Sequence, residues 1–315
     1  MSDVLEIKNL AKSFGSKEVL KDVSFKMPEG KIFGFVGVNG AGKTTTMKII
    51  LGLLEADGGE VRVCGEKVSG AGEKTNRYIG YLPDVPEFYS YMNAREYLEF
   101  VGDITGYDGD RRGRTEELLE LVGLKNDAKR RIKGYSRGMK QRLGIAQALF
   151  AKPKLLICDE PTSALDPVGR KEILDLLSAA KAETTVLFST HILSDVERVA
   201  DEIAMLHDGV IKFAGNTKDI IEANVGQAYV LELEEEGQAA ALKEAFPKLE
   251  ALGITPDKKA GSEPVSNNHS RSLIIPDREL AAEVTRYLGS NNIVPLKLEK
   301  QEADLESIFM KNMQV

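Results

Sequence analysis

The sequence predicts an α/β fold in which a mostly parallel core sheet carries helices on both faces. Three observations point there. Short apolar runs of strand character alternate with segments whose apolar residues recur at helical spacing. A Gly-rich turn joins one such run to a helix. A pair of carboxylates closes another apolar run, at the strand end where ligands bind in open α/β sheets. With 315 residues the chain has room for one large domain and a smaller one.

Val4 to Leu10 and Val19 to Met27 are β-rich runs, and Lys31 to Val36 is a short apolar run ending in glycine. Thr44 to Leu54 then carries apolar residues at helical spacing, giving strand, loop, helix. Gly59 to Val63 and Tyr78 to Leu82 return to strand character. Asn93 is placed to cap a helix over Ala94 to Val101, and Arg114 to Val122 is an apolar stripe stopped by Gly123. This helical block, about residues 88–152, interrupts the alternation as an inserted subdomain.

Alternation resumes with a strand over Leu155 to Cys158, a helix from Asp166-Pro167 to Lys181 and a strand over Thr185 to Phe188. Ile203 to Leu206 and Val210 to Phe213 flank His207-Asp208-Gly209, a tight hairpin. Asn216 to Asn224 leads out of this domain, 1–225. A small α+β domain, 226–315, is expected next: strand Tyr229 to Leu233, helix Gln238 to Leu252, strand Ser272 to Ile275, helix Glu279 to Leu288 and strand Val294 to Leu298. Lys258 to Ser270, rich in Gly, Ser, Asn and Pro, reads as a mobile loop.

Hydrophobic residues make up 42% of the chain, ordinary for a globular protein. No apolar run approaches the roughly 20 residues of a membrane-spanning helix. Met1 to Glu6 lacks the basic stretch and apolar core of a secretion signal, so a cytoplasmic protein is expected. The net charge of −7 disfavours general attraction to nucleic acid, which is not expected as a partner. The two cysteines, Cys64 and Cys158, lie in strand-like apolar segments and read as core filler.

Gly37-Val38-Asn39-Gly40-Ala41-Gly42-Lys43-Thr44 fits a phosphate-binding loop, and it has the required strand before it and helix after it. Glycines let main-chain N–H groups turn onto phosphates, and the helix start adds partial positive charge. Lys43 can reach the terminal phosphates and the Thr44 hydroxyl can ligand Mg2+, with Thr45 beside it. Asp159 and Glu160 end the strand Leu155 to Cys158. Asp159 is suited to hold Mg2+ and Glu160 to take a proton from an attacking water. Read alone the pair could be solvated loop acids; read with the loop, it predicts binding and hydrolysis of ATP with Mg2+.

The order Gly37 to Thr44, Tyr135-Ser136-Arg137-Gly138-Met139-Lys140-Gln141, Asp159-Glu160, Ser163-Ala164-Leu165-Asp166 and His191 resembles the ATP-binding subunits of ATP-binding-cassette (ABC) transporters. The likeness runs over roughly Leu5 to Gly215, about two thirds of the chain. It implies the P-loop NTPase fold of that family, with an N-terminal antiparallel β subdomain. It also implies a head-to-tail dimer, with itself or a similar subunit, holding two ATP molecules between the subunits.

By the same resemblance Ser136 and Gly138 close on the γ-phosphate bound by the opposite subunit, whereas Ser136 alone reads as a helix N-cap. Asp166 touches the opposite subunit near its phosphate loop, caps the Pro167 helix, or does both. His191 contacts the γ-phosphate and positions water; a lone His is more often structural. Phe14 stacks on adenine or fills the core.

Two positions depart from the family pattern. Tyr135-Ser136-Arg137-Gly138-Met139 stands where Leu-Ser-Gly-Gly-Gln is common, so Arg137 replaces a glycine and Met139 a glutamine. Asp84, in Gly80-Tyr81-Leu82-Pro83-Asp84, stands where the family has a glutamine; a carboxylate can ligand Mg2+ but cannot donate as an amide does. Both departures resemble the branch serving exporters of drugs and antimicrobial peptides, which implies a separately encoded transmembrane permease. The chain would then sit on the inner face of the cell membrane through that permease, with Asp84 to Tyr91 passing motion to it. The competing readings are a soluble ABC-type ATPase acting on ribosomes or nucleic acid, and a P-loop kinase or GTPase. The first commonly has two cassettes or a long coiled coil, and the second lacks the Ser136 and His191 motifs.

Overall fold

The computed structural model describes residues 3–69, 74–223, 228–251, 271–300 and 305–313. Its contacts divide the chain into two compact units, Met1–Ile220 with Phe309–Val315, and Ile221–Ile308. The elements of the first half are β1 (Asp3–Phe14), β2 (Lys17–Pro28), β3 (Ile32–Val36), α1 (Lys43–Ile50), β4 (Gly58–Val63), β5 (Glu66–Lys67), β6 (Ile79–Leu82), α2 (Ala94–Ile104), α3 (Arg111–Leu121) and α4 (Arg137–Leu149). There follow β7 (Leu155–Asp159), α5 (Pro167–Ala180), β8 (Thr185–Thr190), α6 (Leu193–Val199), β9 (Glu202–His207), β10 (Val210–Asn216) and α7 (Thr217–Ala223). Residues 221–313 carry β11 (Tyr229–Glu232), α8 (Glu236–Ala245), β12 (Glu250–Ala251), β13 (Ser272–Ile275), α9 (Arg278–Ser290), β14 (Lys297–Lys300) and α10 (Leu305–Met313).

Among the described residues the large sheet runs β5-β4-β1-β2-β10-β9-β3-β8-β7-β6. From β9 to β6 neighbouring strands are parallel; at the other end β1, β2, β4 and β5 pair antiparallel. The parallel strands β3, β7 and β8 are buried along their whole length, as strands covered on both faces must be. Phe33 and Phe35 are fully buried and pack on Phe25, with ring centroids 5.3 and 5.4 Å from it. Each contributes roughly 1.5–3 kcal/mol by burial.

Two local features place the helical block on this sheet. Asn93 caps α2 with a reciprocal capping box: its side chain accepts from the Glu96 N–H and the Glu96 carboxylate accepts from the Asn93 N–H. Gly80 on β6 has the Ala148 carbonyl oxygen only 2.1 Å from where a Cβ would stand, so α4 can lie this close only over a glycine.

Several elements differ from the sequence expectation for identifiable reasons. Helix α1 stops at Ile50 rather than Leu54: Gly52 takes φ +67 and the N–H groups of Leu53 and Leu54 turn back to the Lys48 carbonyl. Cys64 is not in a strand but forms, with Gly65, a left-handed turn between β4 and β5, at φ 50 and 79. Helix α8 ends at Ala245; Pro247 cannot donate into the helix and holds Phe246 at φ −131, ψ 83, after which Glu250–Ala251 pairs with β13. The last expected strand begins at Lys297 because Pro295 has no N–H for the ladder. The hairpin at Asp208-Gly209 is as expected, with both residues at positive φ. Leu252 and the Lys258 to Ser270 segment lie outside the described residues.

Among the described residues β11 to β14 form a separate antiparallel sheet, order β12-β13-β11-β14. Leu231, Leu273 and Ile275 from the sheet bury against Leu242 of α8 and Val284 and Leu288 of α9. Among the described residues no helix is long and apolar enough to cross a membrane.

Candidate functional site

The loop between β3 and α1 needs its last glycine twice over. Gly42 sits at φ +112, in the left-handed region, and a Cβ there would come within 2.6 Å of Leu20 Cδ2. Lys43, the first residue of α1, is only 6% exposed, yet its ammonium is held inside the loop it closes. It donates to the Gly37 carbonyl at 2.7 Å and the Val38 carbonyl at 3.3 Å. Val38, Asn39 and Gly40 are exposed at the loop tip, whereas Gly37 and Ala41 are buried under it. Thr44 is exposed and Thr45 half-buried at the helix start, where first-turn N–H groups have no partner within the helix.

Strand β7 brings the carboxylates to the same edge. Asp159 is buried, and the Ser189 hydroxyl donates to its Oδ1 at 2.6 Å from the registered position on β8. The Ser189 hydroxyl also accepts from the Glu160 N–H at 3.0 Å. Glu160 itself takes φ 48, a left-handed conformation that costs a non-glycine residue energy, and the turn is closed by the Ser163 N–H on its carbonyl. That turn brings Oε1 to 3.1 Å from Lys43 Nζ and Oε2 to 2.8 Å from His191 Nδ1. His191 follows directly on β8 and is partly exposed. Lys43, Asp159, Glu160 and His191 therefore form one linked group over the loop. Its charge reaches β6: burial, with the Asp159 carboxylate next in effect, pushes the Tyr81 phenol up to about 12.

Asp84 stands at the rim of this group. Burial raises its pKa, the charges of Asp159 and Glu160 add to the rise, and the Arg137 guanidinium opposes it from 3.4 Å. Two positions singled out as departures are thus in contact. Gln141, fully buried on α4, donates to the carbonyls of Asp84 and Pro161, both at 3.2 Å, tying the helix start to both segments. Asp84, Pro86, Phe88, Ile132, Arg137 and Lys140 line a groove of about 460 Å³.

The remaining sequence-predicted residues stand apart from these contacts. Ser136 caps α4, accepting from the Met139 N–H at 3.2 Å, and Gly138 has open space around it, with only Leu165 at 4.0 Å. Asp166 caps α5 through the Gly169 N–H at 3.1 Å. Both caps are exposed. Phe14 is 51% exposed with the Lys12 ammonium 5.6 Å from its ring centre, so it does not fill the core, and its ring stays accessible for stacking.

Two positioning residues escaped the sequence reading. Ser189 lies 30 residues from its partner Asp159, so only the β7–β8 register reveals it. Gln141 was findable: it shares a helix face with Gly144, Ile145 and Ala148, and an amide on a buried stripe demands partners.

Comparison with known proteins agrees with this geometry. The family model for ABC transporters matches residues 20–163. An uncharacterised ABC transporter ATP-binding protein of Bacillus subtilis, YxlF, is 38% identical over 98% of this chain and 99% of its own length. The bacitracin transport ATP-binding protein BcrA of Enterococcus faecalis is 32% identical over 99% of this chain and 96% of its own length. A solved ATP-binding subunit of an ABC transporter, 32% identical, superposes with a TM-score of 0.63 over 70% of this chain and 92% of that one. With a phosphate-loop lysine, a strand-end carboxylate pair and a histidine drawn together on a cassette sheet, and with full-length relatives of the same kind, the chain belongs to the ATP-binding proteins of ABC transporters.

Proposed function

We propose that this chain is the Mg2+-dependent ATPase subunit of an exporter whose membrane permease is a separate polypeptide. The observation that carries the reading is the placement of Glu160 between Lys43 and His191, 3.1 and 2.8 Å away. In this reading the loop from Gly37 to Thr44 and Thr45 binds the phosphates of ATP through main-chain N–H groups and Lys43. Phe14 stacks on the adenine. Glu160 takes the proton of the attacking water, and His191 orients that water and the γ-phosphate.

The Thr44 hydroxyl and the Asp159 carboxylate suit Mg2+, which takes one or two protein oxygens together with phosphate oxygens and water. The bound ion supplies charge neutralisation on the phosphate oxygens. We assign the Asp84 carboxylate to Arg137 instead of the cation, since that guanidinium already faces it.

Ser136 and Asp166, the exposed caps of α4 and α5, together with Gly138 in the first turn of α4, complete the site of a second subunit in a head-to-tail dimer, with an identical or similar chain. The groove beside Asp84, with the exposed side chains of Val85, Tyr89 and Tyr91 nearby, receives the permease. The protein would thereby lie on the inner face of the cell membrane. The likeness to BcrA, a bacitracin transport protein by name, supports a cargo of that kind. Steady-state phosphate release with and without Mg2+, followed by identification of the membrane protein that co-purifies with the chain, tests both halves. Absence of Mg2+-dependent turnover would remove the first, and co-purification with ribosomes instead of a membrane protein would remove the second.

A further inference from the structure

Asp195 is a carboxylate without a part in the chemistry above, yet it is buried to 2% exposure. Both of its oxygens are taken. Oδ2 accepts from the Thr162 hydroxyl at 2.7 Å, and Oδ1 accepts from the Arg170 guanidinium at 2.6 Å. The three residues come from three different segments. Thr162 lies two residues after Glu160 in the turn that leaves β7; Arg170 lies four after Asp166 on α5; Asp195 lies four after His191, in the first turn of α6.

We propose that Asp195 is a positioning residue that locks the segments bearing Glu160, His191 and Asp166 into one rigid body, and so fixes the 2.8 Å approach of His191 to Glu160. The inference rests on the proposed ATPase reading for its consequence in rate, but the linkage itself is a matter of geometry. A buried ion pair is seldom more stabilising than apolar side chains of the same volume, so holding the fold together is a weak reason to keep one here. Its value lies in direction. The hydrogen bonds that both carboxylate oxygens accept fix α6 against the Glu160 turn and α5, which apolar packing would leave loose. Helix α6 has no side-chain cap at Ile192, and the local bond across His191, from the Ile192 N–H to the Thr190 hydroxyl at 2.9 Å, does not reach the Glu160 turn. The Glu160 turn carries a left-handed residue at φ 48, a conformation that persists only when its surroundings impose it.

The decisive variant is Thr162→Val in the full chain, which keeps the side-chain shape and the Arg170 pair but removes the hydroxyl. Thr162→Ser restores the hydroxyl and serves as the rescue. Two readouts are taken. In steady-state ATP hydrolysis, Thr162→Val should lower kcat about tenfold or more with KM changed less than about twofold, and Thr162→Ser should return kcat to the parent value. Independently of turnover, the His191 imidazole resonance, assigned by its loss in His191→Gln, should shift or broaden in Thr162→Val at fixed pH and match the parent in Thr162→Ser.

An unmoved His191 resonance in a folded Thr162→Val protein would overturn the proposal, as would a parent-like kcat. A moved resonance in a chain without any ATP turnover would leave the linkage standing and sink the ATPase reading instead. Should Thr162→Val fail to fold, Asp195→Glu, which retains the charge but lengthens the reach, takes its place. It should displace the same resonance, and an unchanged one would count against the idea equally.

Discussion

The ammonium of Lys43 lies 3.1 Å from Oε1 of Glu160, both side chains being largely buried, so the loop cation and the strand-end carboxylate hold each other in place. Lys43 also donates to two carbonyls of its own loop. It is thereby pre-positioned at the point where terminal phosphates would lie. Lys43→Ala should weaken ATP binding by about tenfold or more, the order of one charge-assisted hydrogen bond. Direct titration calorimetry checks this, and an unchanged Kd would argue against the loop assignment.

His191 is partly exposed and hydrogen-bonded only through Nδ1 to Glu160 among the contacts described. Its loss should therefore cost chemistry more than binding or folding. His191→Ala is expected to reduce kcat by roughly a hundredfold, with ATP affinity changed by less than about threefold. A parallel fall in affinity would place His191 in ground-state binding instead.

Arg137 and Asp84 are both near half-exposed, so their pair contributes little to stability, about 1 kcal/mol or less. Its importance is local charge balance. Without Arg137, Asp84 adds an unopposed negative charge to those of Asp159 and Glu160, beside the proposed phosphate site. Arg137→Gln alone should weaken ATP binding, and adding Asp84→Asn should restore most of the loss. Four Kd values complete the cycle; strictly additive effects would mean the two residues act independently.

Asp201 links the start of β3 to the end of α5, accepting from the Ile32 N–H and from Lys181, both at 2.8 Å. Burial works to raise its pKa, but these donors outweigh it and hold the carboxyl below its ordinary value of 3.8. A depressed folded pKa favours the native state above the unfolded value, and the benefit disappears as pH falls through the folded one. Asp201→Asn should accordingly lower stability at neutral pH and flatten its decline below about pH 4. Urea melts across that range measure it, and identical slopes in the two proteins would contradict the assignment.

The elements legible in the sequence are those fixed by neighbours along the chain. Asn93 with Glu96, Asp208 with Gly209, and the glycines before Lys43 all act through backbone geometry within a few residues, and the α/β alternation follows from burial of β3, β7 and β8. Prolines were the local signal most easily passed over: Pro247 ends α8 and Pro295 delays β14. What the sequence could not display are pairings set by the tertiary fold, through the sheet register or the packing of helices against strand ends. Ser189 meets Asp159, Arg137 meets Asp84 and Asp195 meets Thr162 across 30, 53 and 33 residues. The motif residues of the candidate site were legible one by one; the contacts that aim them were not.

Glu160→Gln provides the most direct examination of the account, because it keeps the side chain's size and its bond to His191 within reach while removing the capacity to accept a proton. Phosphate release and ATP binding should be measured on the same preparation, with sedimentation to follow the oligomer. The account predicts turnover lost by at least about a hundredfold, ATP bound as tightly as in the parent, and a dimer that persists while ATP is present. Sustained hydrolysis at a rate near that of the parent would contradict it.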